Sequence, residues 1–376
     1  MSTGYQNYTI AFVWRPEEIT PAVIQMAQET ESCAIFDFSG VKKTDDLSSF
    51  LRKKDPAGLV RDIKICAAAL MDTSLGGALK ETGIQNIWVE CPPGYSCEDT
   101  AIFLKKLGEI SKNYGCFPIT GDTALITKML KAGSGIECIV LKGCEAAGFV
   151  SRETTMTLYS MARKIQRSSA TPVDIFIWGG VFIPEAAAAF LSTGAAGIVF
   201  ESAHWLTDRV CIDDSQRERL SRLRPDATDL VGLDVQVPCR LFNKGNSLAF
   251  REIKAYEDAL CSAAIMEETC LSFASRVTAR SVHPLESLFS RDEIIPLGVE
   301  AAFAGAFVNR FGAVTGEAVK AFIKEIHHLC SLADEKKNCF LDSPVAKEMG
   351  TMYPFIQGAM SWITDIPEFA LQVADA

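Results

Sequence analysis

Histidine is scarce in this chain. Four residues in 376 (His204, His283, His327 and His328) leave few positions for a proton carrier near neutral pH or an imidazole metal ligand. Long apolar runs are also missing. The apolar stretch at 296–314 is interrupted by Glu300, Asn309 and Arg310, which excludes a membrane-spanning helix there. Basic charge is in deficit: 37 Lys and Arg stand against 47 Asp and Glu, a formal net charge of −10. With no basic patch to offset it, that balance excludes nucleic acid and anionic membranes as main partners. The amino terminus, Met-Ser-Thr-Gly-Tyr, has no basic segment followed by an apolar one. No signal peptide is read there, and a cytoplasmic protein is expected.

Cysteine, by contrast, is plentiful. Thirteen are scattered along the chain, often inside or beside apolar runs, and none forms a Cys-x-x-Cys pair. An odd number at such spacing reads as buried thiols rather than disulfides or a zinc site. The chain is 48% hydrophobic and 22% charged, ordinary values for an α/β protein with a sizeable core.

The core is written as short apolar runs at 8–14, 33–38, 63–68, 86–91, 116–119, 138–141, 173–178 and 196–200. Each has the length and apolar continuity of a strand buried on both faces. Segments with helical spacing separate them, as at 20–29, 97–112, 124–131, 154–166 and 184–191. Pro184 suits a first helical turn and Gly194 a C-terminal cap. Eight such units before residue 205 predict a (β/α)8 TIM barrel over 1–210, in preference to a doubly wound open sheet.

Beyond Glu201 the pattern changes. Residues 211–332 predict a mostly helical subdomain, with a β-hairpin at 235–252 turning at Asn-Lys-Gly-Asn, 243–246. A polar break beginning at 333 predicts a linker over 333–352. Residues 353–376 read again as a strand, a glycine loop and a helix, echoing the helix near residue 20. They are expected to be the truncated first βα unit of a second barrel, so that the chain is a piece of something longer. A minor alternative has that unit completing a neighbour's barrel in trans.

Three glycine-rich stretches stand at the ends of the late strands: 142–149 (Lys-Gly-Cys-Glu-Ala-Ala-Gly-Phe), 177–181 (Ile-Trp-Gly-Gly-Val) and 194–202 (Gly-Ala-Ala-Gly-Ile-Val-Phe-Glu-Ser). In parallel βα folds the chemistry lies in these loops. The first resembles the Gly-x-Glu-x-Gly-Gly-His loop of the nitronate monooxygenases (2-nitropropane dioxygenases), and the others match that family's next two strands. The same barrel is shared by FMN-dependent enoyl-acyl carrier protein reductases. The order of parts, with Pro-Leu-Gly-Val-Glu-Ala-Ala-Phe-Ala at 296–304, resembles the amino-terminal region of large polyketide or polyunsaturated fatty-acid synthases.

The resemblance implies FMN as cofactor, an acyl carrier protein or acyl thioester as partner together with downstream modules of one polypeptide, and a homodimer among the assemblies to expect. By position it implies that Gly179, Gly180 and Ser202 hold the phosphate and that the loop with Gly143 and Gly148 faces the flavin. Bare amides at such a turn attract an anion on physical grounds too, although glycine there also serves a tight turn by its dihedrals alone.

The chain departs from the pattern at three positions. Phe149 stands where the family has its proton-transferring histidine, leaving no catalytic residue to name. Glu201 replaces a glycine beside the phosphate, where a carboxylate is repelled. The first strand ends in Val-Trp-Arg-Pro-Glu-Glu, 13–18, whereas the flavin-facing Gln-Gly-Ala-Met occurs at 357–360. Smaller signals have local readings. Asp122 and Thr123 suit a helix cap over a flavin ribityl contact, Cys144 a small buried residue over a reactive thiol, and Glu145 a capping or solvated carboxylate or a base. Lys142 suits a phosphate contact or a pair with Glu145. His204 comes after the eighth strand and is the histidine nearest the loops, while His327 and His328 are adjacent on a helix and read as surface. Two functional readings result: a flavin-type oxidoreductase module with a degenerate site, or a non-catalytic barrel that scaffolds or docks.

Overall fold

The computed structural model describes residues 9–40, 44–80, 82–91, 97–131, 136–168, 172–243, 247–261, 266–287, 290–336 and 343–352, with a few isolated positions beyond. The readings placed on 353–376, including the Gln-Gly-Ala-Met loop, lie outside the described residues apart from those isolated positions. The chain divides into two units, residues 1–327 and 328–376.

Eight strands close a parallel barrel in the first unit. They are β1 (Thr9–Trp14), β2 (Cys33–Asp37), β3 (Asp62–Cys66), β4 (Asn86–Glu90), β5 (Gly115–Thr120), β6 (Cys138–Lys142), β8 (Asp174–Trp178) and β9 (Gly197–Phe200). A two-residue strand, β7 (Gly148–Phe149), leaves the barrel between β6 and β8. The closure pairs β1 with β9, Ala11 opposite Val199. All eight predicted runs are barrel strands, and the fold is the predicted TIM barrel.

The barrel interior is solid. Ala11, Val13, Ile35, Trp88, Ile119, Val140, Phe176, Trp178 and Val199 form one buried cluster. Trp88 stacks on Phe117 with centroids 4.2 Å apart, and Phe176 meets both rings edge-on. Such offset and edge-on pairs add to the burial energy of the rings themselves. Trp88 Nε1 donates to Asp62 at 3.1 Å, which satisfies the indole inside the barrel.

The outer helices begin as the sequence dictates. Thr20 and Thr154 cap Pro21–Glu29 and Thr155–Arg167 through their hydroxyls. Asp122 accepts from the amides of Ala124 and Leu125 at the start of Thr123–Lys131. Pro184 opens its helix, and Gly194 comes just past the end with φ of +99°.

The predicted hairpin is corrected. Strand β10 (Thr228–Val231) pairs antiparallel with β11 (Cys239–Phe242), and β11 pairs in turn with β7. Residues Leu248–Cys261 form a helix, with Ala249, Ile253 and Glu257 buried at a spacing of four. The apolar alternation stops at Phe242, and from Leu248 the apolar residues recur with helical period. The linker over 333–352 is corrected as well: the helix Thr315–Lys336 runs through its first residues, and Pro344–Met349 is helical. A polar composition alone does not end a helix. Among the described residues no helix is long and apolar enough to cross a membrane.

Candidate active site at the barrel mouth

The carboxyl ends of the strands carry four charges in contact. Lys64 from β3 lies 2.9 Å from both Asp37 and Glu90, and Lys142 from β6 lies 2.5 Å from Glu90. The two lysines are almost fully buried, while the carboxylates are about one-fifth exposed (20% and 19%). Both ammonium groups sit over the Trp178 ring, 5.3 and 5.5 Å from its centroid.

The charges balance, two against two, and this decides the titration. Burial raises the Glu90 carboxyl, but Lys142 and Lys64 outweigh it and bring the group down to about 2. Asp37 is also lowered, Lys64 overcoming its burial. Lys64 is raised, because Asp37, Glu90 and Glu201 outweigh the cost of burying its charge. Its ammonium is therefore held protonated and cannot serve as a nucleophile or base. Lys142 pairs with Glu90 rather than with Glu145.

The glycine loops close on one another. Gly143 donates its amide to the Trp178 carbonyl at 3.1 Å, and a Cβ at Gly143 would lie 1.8 Å from Thr155 Oγ1. Gly179 and Gly180 have φ of +93° and +68°, a region that L side chains rarely enter. A Cβ at Gly179 would lie 2.8 Å from the Ala146 amide, and one at Gly180 2.9 Å from Thr155 Oγ1. Glu145 accepts from the Thr155 amide and hydroxyl at 3.0 and 2.7 Å, capping the helix that starts there. Glu201 accepts from the Ala147 amide at 3.2 Å, so it is turned toward the loop after β6. The glycines thus serve close contact between segments of this chain.

Ser202 is buried, and its Oγ has no hydrogen-bond partner among the described residues. Its amide is engaged. Glu300 Oε1 accepts from the amides of Ser202 and Ala203 at 2.8 and 2.7 Å, and Oε2 from Glu201 at 3.3 Å. Glu300 comes from the strap 296–303, which also donates the Val299 amide to the Glu145 carbonyl. Gly298 in that strap lets it approach Ala147, and Phe303 stacks on Phe182 at 4.7 Å. Burial pushes the Glu300 carboxyl up to about 8; Glu201 adds to the rise and the three amides oppose it. No reading of the loops singled out Glu300. The available signal was one carboxylate in an otherwise apolar eight-residue stretch, since a lone buried acid needs donors.

Phe149 and Gly148 lie in β7, opposite Cys239 and Arg240. The Phe149 ring packs on the cluster of Val231, Val237, Leu241, Ile253 and Phe273, away from the barrel interior. His204 is fully buried, its ring 4.3 Å from that of Trp14 and 5.5 Å from that of Phe12, and burial lowers it to about 3. It is a neutral core residue. Burial raises Cys144, as does Glu145, so its thiolate is disfavoured. Among the described residues no group of three His, Cys, Asp or Glu is placed to hold a metal ion.

With this geometry established, comparison with solved structures gives the type of barrel. The structure of FabK from Thermotoga maritima matches with a TM-score of 0.60 and 16% identity over 89% of this chain and 96% of that one. The enoyl reductase domain of MlnA, from the macrolactin biosynthesis cluster of Bacillus amyloliquefaciens, matches with a TM-score of 0.60 and 10% identity, covering 88% and 97%. The chain shares its fold with enoyl reductases. The nitroalkane oxidase of Streptomyces ansochromogenes has it too, at a TM-score of 0.54 and 13% identity over 83% and 93%. At these identities the likeness is one of fold, and the expected resemblance to this barrel type holds at that level. No family model and no curated sequence matches the chain.

The residues at the mouth do not fit FMN. A flavin phosphate would need the amides after β8 and β9. Those at 201–203 already serve the Glu300 carboxyl, and Ala146 and Thr155 crowd the Gly179–Gly180 turn on the side a Cβ would occupy. Lys64, Glu90 and Lys142 above Trp178 are satisfied by one another.

Proposed function

We propose that this chain is a non-catalytic barrel of the enoyl reductase type, a module of a polyketide or fatty-acid assembly system whose flavin site has become part of its core. One observation carries the reading: the loop after β6 bonds to the end of β8, to Glu201 after β9 and to the strap at 296–303, and the amides after β9 serve Glu300, where a cofactor would need open amides. Phe149 at the expected proton-transfer position supports it, being half-buried and packed against the small sheet's core. The module role draws on the fold shared with an enoyl reductase domain from a macrolactin cluster. In this reading the barrel spans 1–210 and the subdomain 211–332. The module works in the cytoplasm, forms a homodimer, and contacts an acyl carrier protein or a downstream module through its outer surface.

The test is the visible spectrum of the purified chain before and after incubation with FMN and desalting. A colourless product that releases all added flavin is expected. Flavin bands retained near one equivalent, with turnover of an enoyl thioester, would restore the second reading, a reductase with an altered site.

A further inference from the structure

Two neighbouring helices on the outside of the barrel, Thr123–Lys131 and Thr155–Arg167, leave between them a groove of about 230 Å³. Its walls are mostly apolar, with Ala124 and Ile126 on one side and Leu158, Met161, Ala162 and Ile165 on the other. Met161 is 40% exposed, so the groove opens to solvent. Methionine is a side chain that adapts to a range of partner shapes.

The charge around the groove is unlike that of the chain. The two helices carry Lys128, Lys131, Arg163, Lys164 and Arg167 and no acidic residue, on a protein of net charge −10. The nearest acids, Asp122 and Glu153, precede the helices, and Asp122 is taken up in capping the first of them. Basic residues near a helix end suit its dipole, but that does not account for two adjacent helices without an acid. Lys164 and Arg167 are exposed, and neither has an ion pair or hydrogen bond among the described residues. Lys164 is one turn beyond Met161 on the same face. The sequence has no basic run; packing the two helices together makes a basic patch with an apolar slot in it.

We propose that this groove docks an acidic amphipathic helix of a partner protein, with an apolar side chain in the slot and carboxylates against the basic flanks. Complementary charge steers such an encounter and fixes its register, and an apolar helix face laid in a groove supplies the contact. A lipid surface takes a projecting apolar face, whereas this one is recessed. Twofold pairing of two copies through this face sets the same five cations against one another. The surface gives the proposed outer contact a place and rests on that reading; flavin retention tests the reading, and the titration below tests the groove.

The experiment is fluorescence anisotropy of a labelled, stapled helical peptide with leucines on one face and glutamates flanking them, titrated with the full chain. Saturable binding is expected, weakening as salt screens the charges. The double variant Lys164→Glu, Arg167→Glu should bind about tenfold more weakly or worse, with an unchanged circular dichroism spectrum. Ala124→Trp, which fills the slot from its lip, should weaken binding comparably. Should that variant unfold, the charge reversal on exposed residues decides alone. The same peptide with lysine for glutamate should not bind. Absence of saturable binding overturns the proposal, as does equal binding by the charge-reversed chain or by the lysine peptide. Cosedimentation of the native chain with phosphatidylglycerol vesicles, lost on the same charge reversal, would overturn it in favour of a lipid surface.

Discussion

Lys142 Nζ lies 2.5 Å from Glu90 Oε1, from β6 and β4 respectively, at the mouth where the barrel would otherwise be open. Lys64 shares the same carboxylate from the other side at 2.9 Å. A mostly buried acid held by two lysines is costly to disturb, because losing it leaves Lys142 without its carboxylate and Lys64 with Asp37 alone, both over Trp178.

Glu90→Ala is therefore expected to lower stability by about 3–5 kcal/mol, the range for a buried pair that loses one partner. Arg310 and Glu185 pair at 2.9 Å with both side chains more than two-fifths exposed (42% and 46%), and Arg310→Ala should cost less than about 1 kcal/mol. Urea unfolding of both variants makes the comparison. Similar losses would mean that the mouth is solvated and that the four charges are not part of the core.

His204 predicts the acid limb of stability. Its folded value of about 3 lies below the ordinary histidine value of 6.5 because burial disfavours the imidazolium. The unfolded chain then takes up a proton that the native chain resists. This contribution is complete above pH 6.5 and is lost as pH falls toward 3, at up to about 1.4 kcal/mol per pH unit. His283, lowered to about 4 by burial, and Glu90 add slopes of the same sign. His204→Leu should flatten the profile between pH 6.5 and 4 relative to the native chain in denaturant titrations. An unchanged slope would place the imidazole in water.

Restoring a histidine does not restore chemistry. Phe149 faces the cluster around Val237 and Phe273, so Phe149→His puts an imidazole among apolar side chains and costs about 1–3 kcal/mol. No turnover of a nitronate or an enoyl thioester is expected in steady-state assays with FMN and a nicotinamide donor. Flavin-dependent turnover by this variant would mean that one lost residue, and not a filled site, had silenced the barrel.

The barrel itself was legible in the sequence because its strands are buried on both faces. Runs such as Ile-Val-Leu at 139–141 and Ile-Phe-Ile-Trp at 175–178 tolerate no polar alternation, and glycine or a capped helix comes after each. The departures at Phe149 and Glu201 were legible too, since each is a single residue set against a pattern. The hairpin was not. β11 has one partner just before it in β10 and another far away in β7, and a local turn signal at 243–246 competed with them.

The sequence alone determined the eight-unit repeat, the absence of a histidine from the glycine loops and the acidic balance of the chain. Each is a property of composition or of neighbours along the chain, where burial and backbone preference act locally. Only the tertiary structure decided what fills the mouth. Glu300 meets Ser202 across 98 residues, and Lys142 meets Glu90 across 52. A carboxyl group in an apolar run has no fixed meaning until the fold shows which donors it faces. Here closure of the barrel and docking of the strap bring it to three backbone amides.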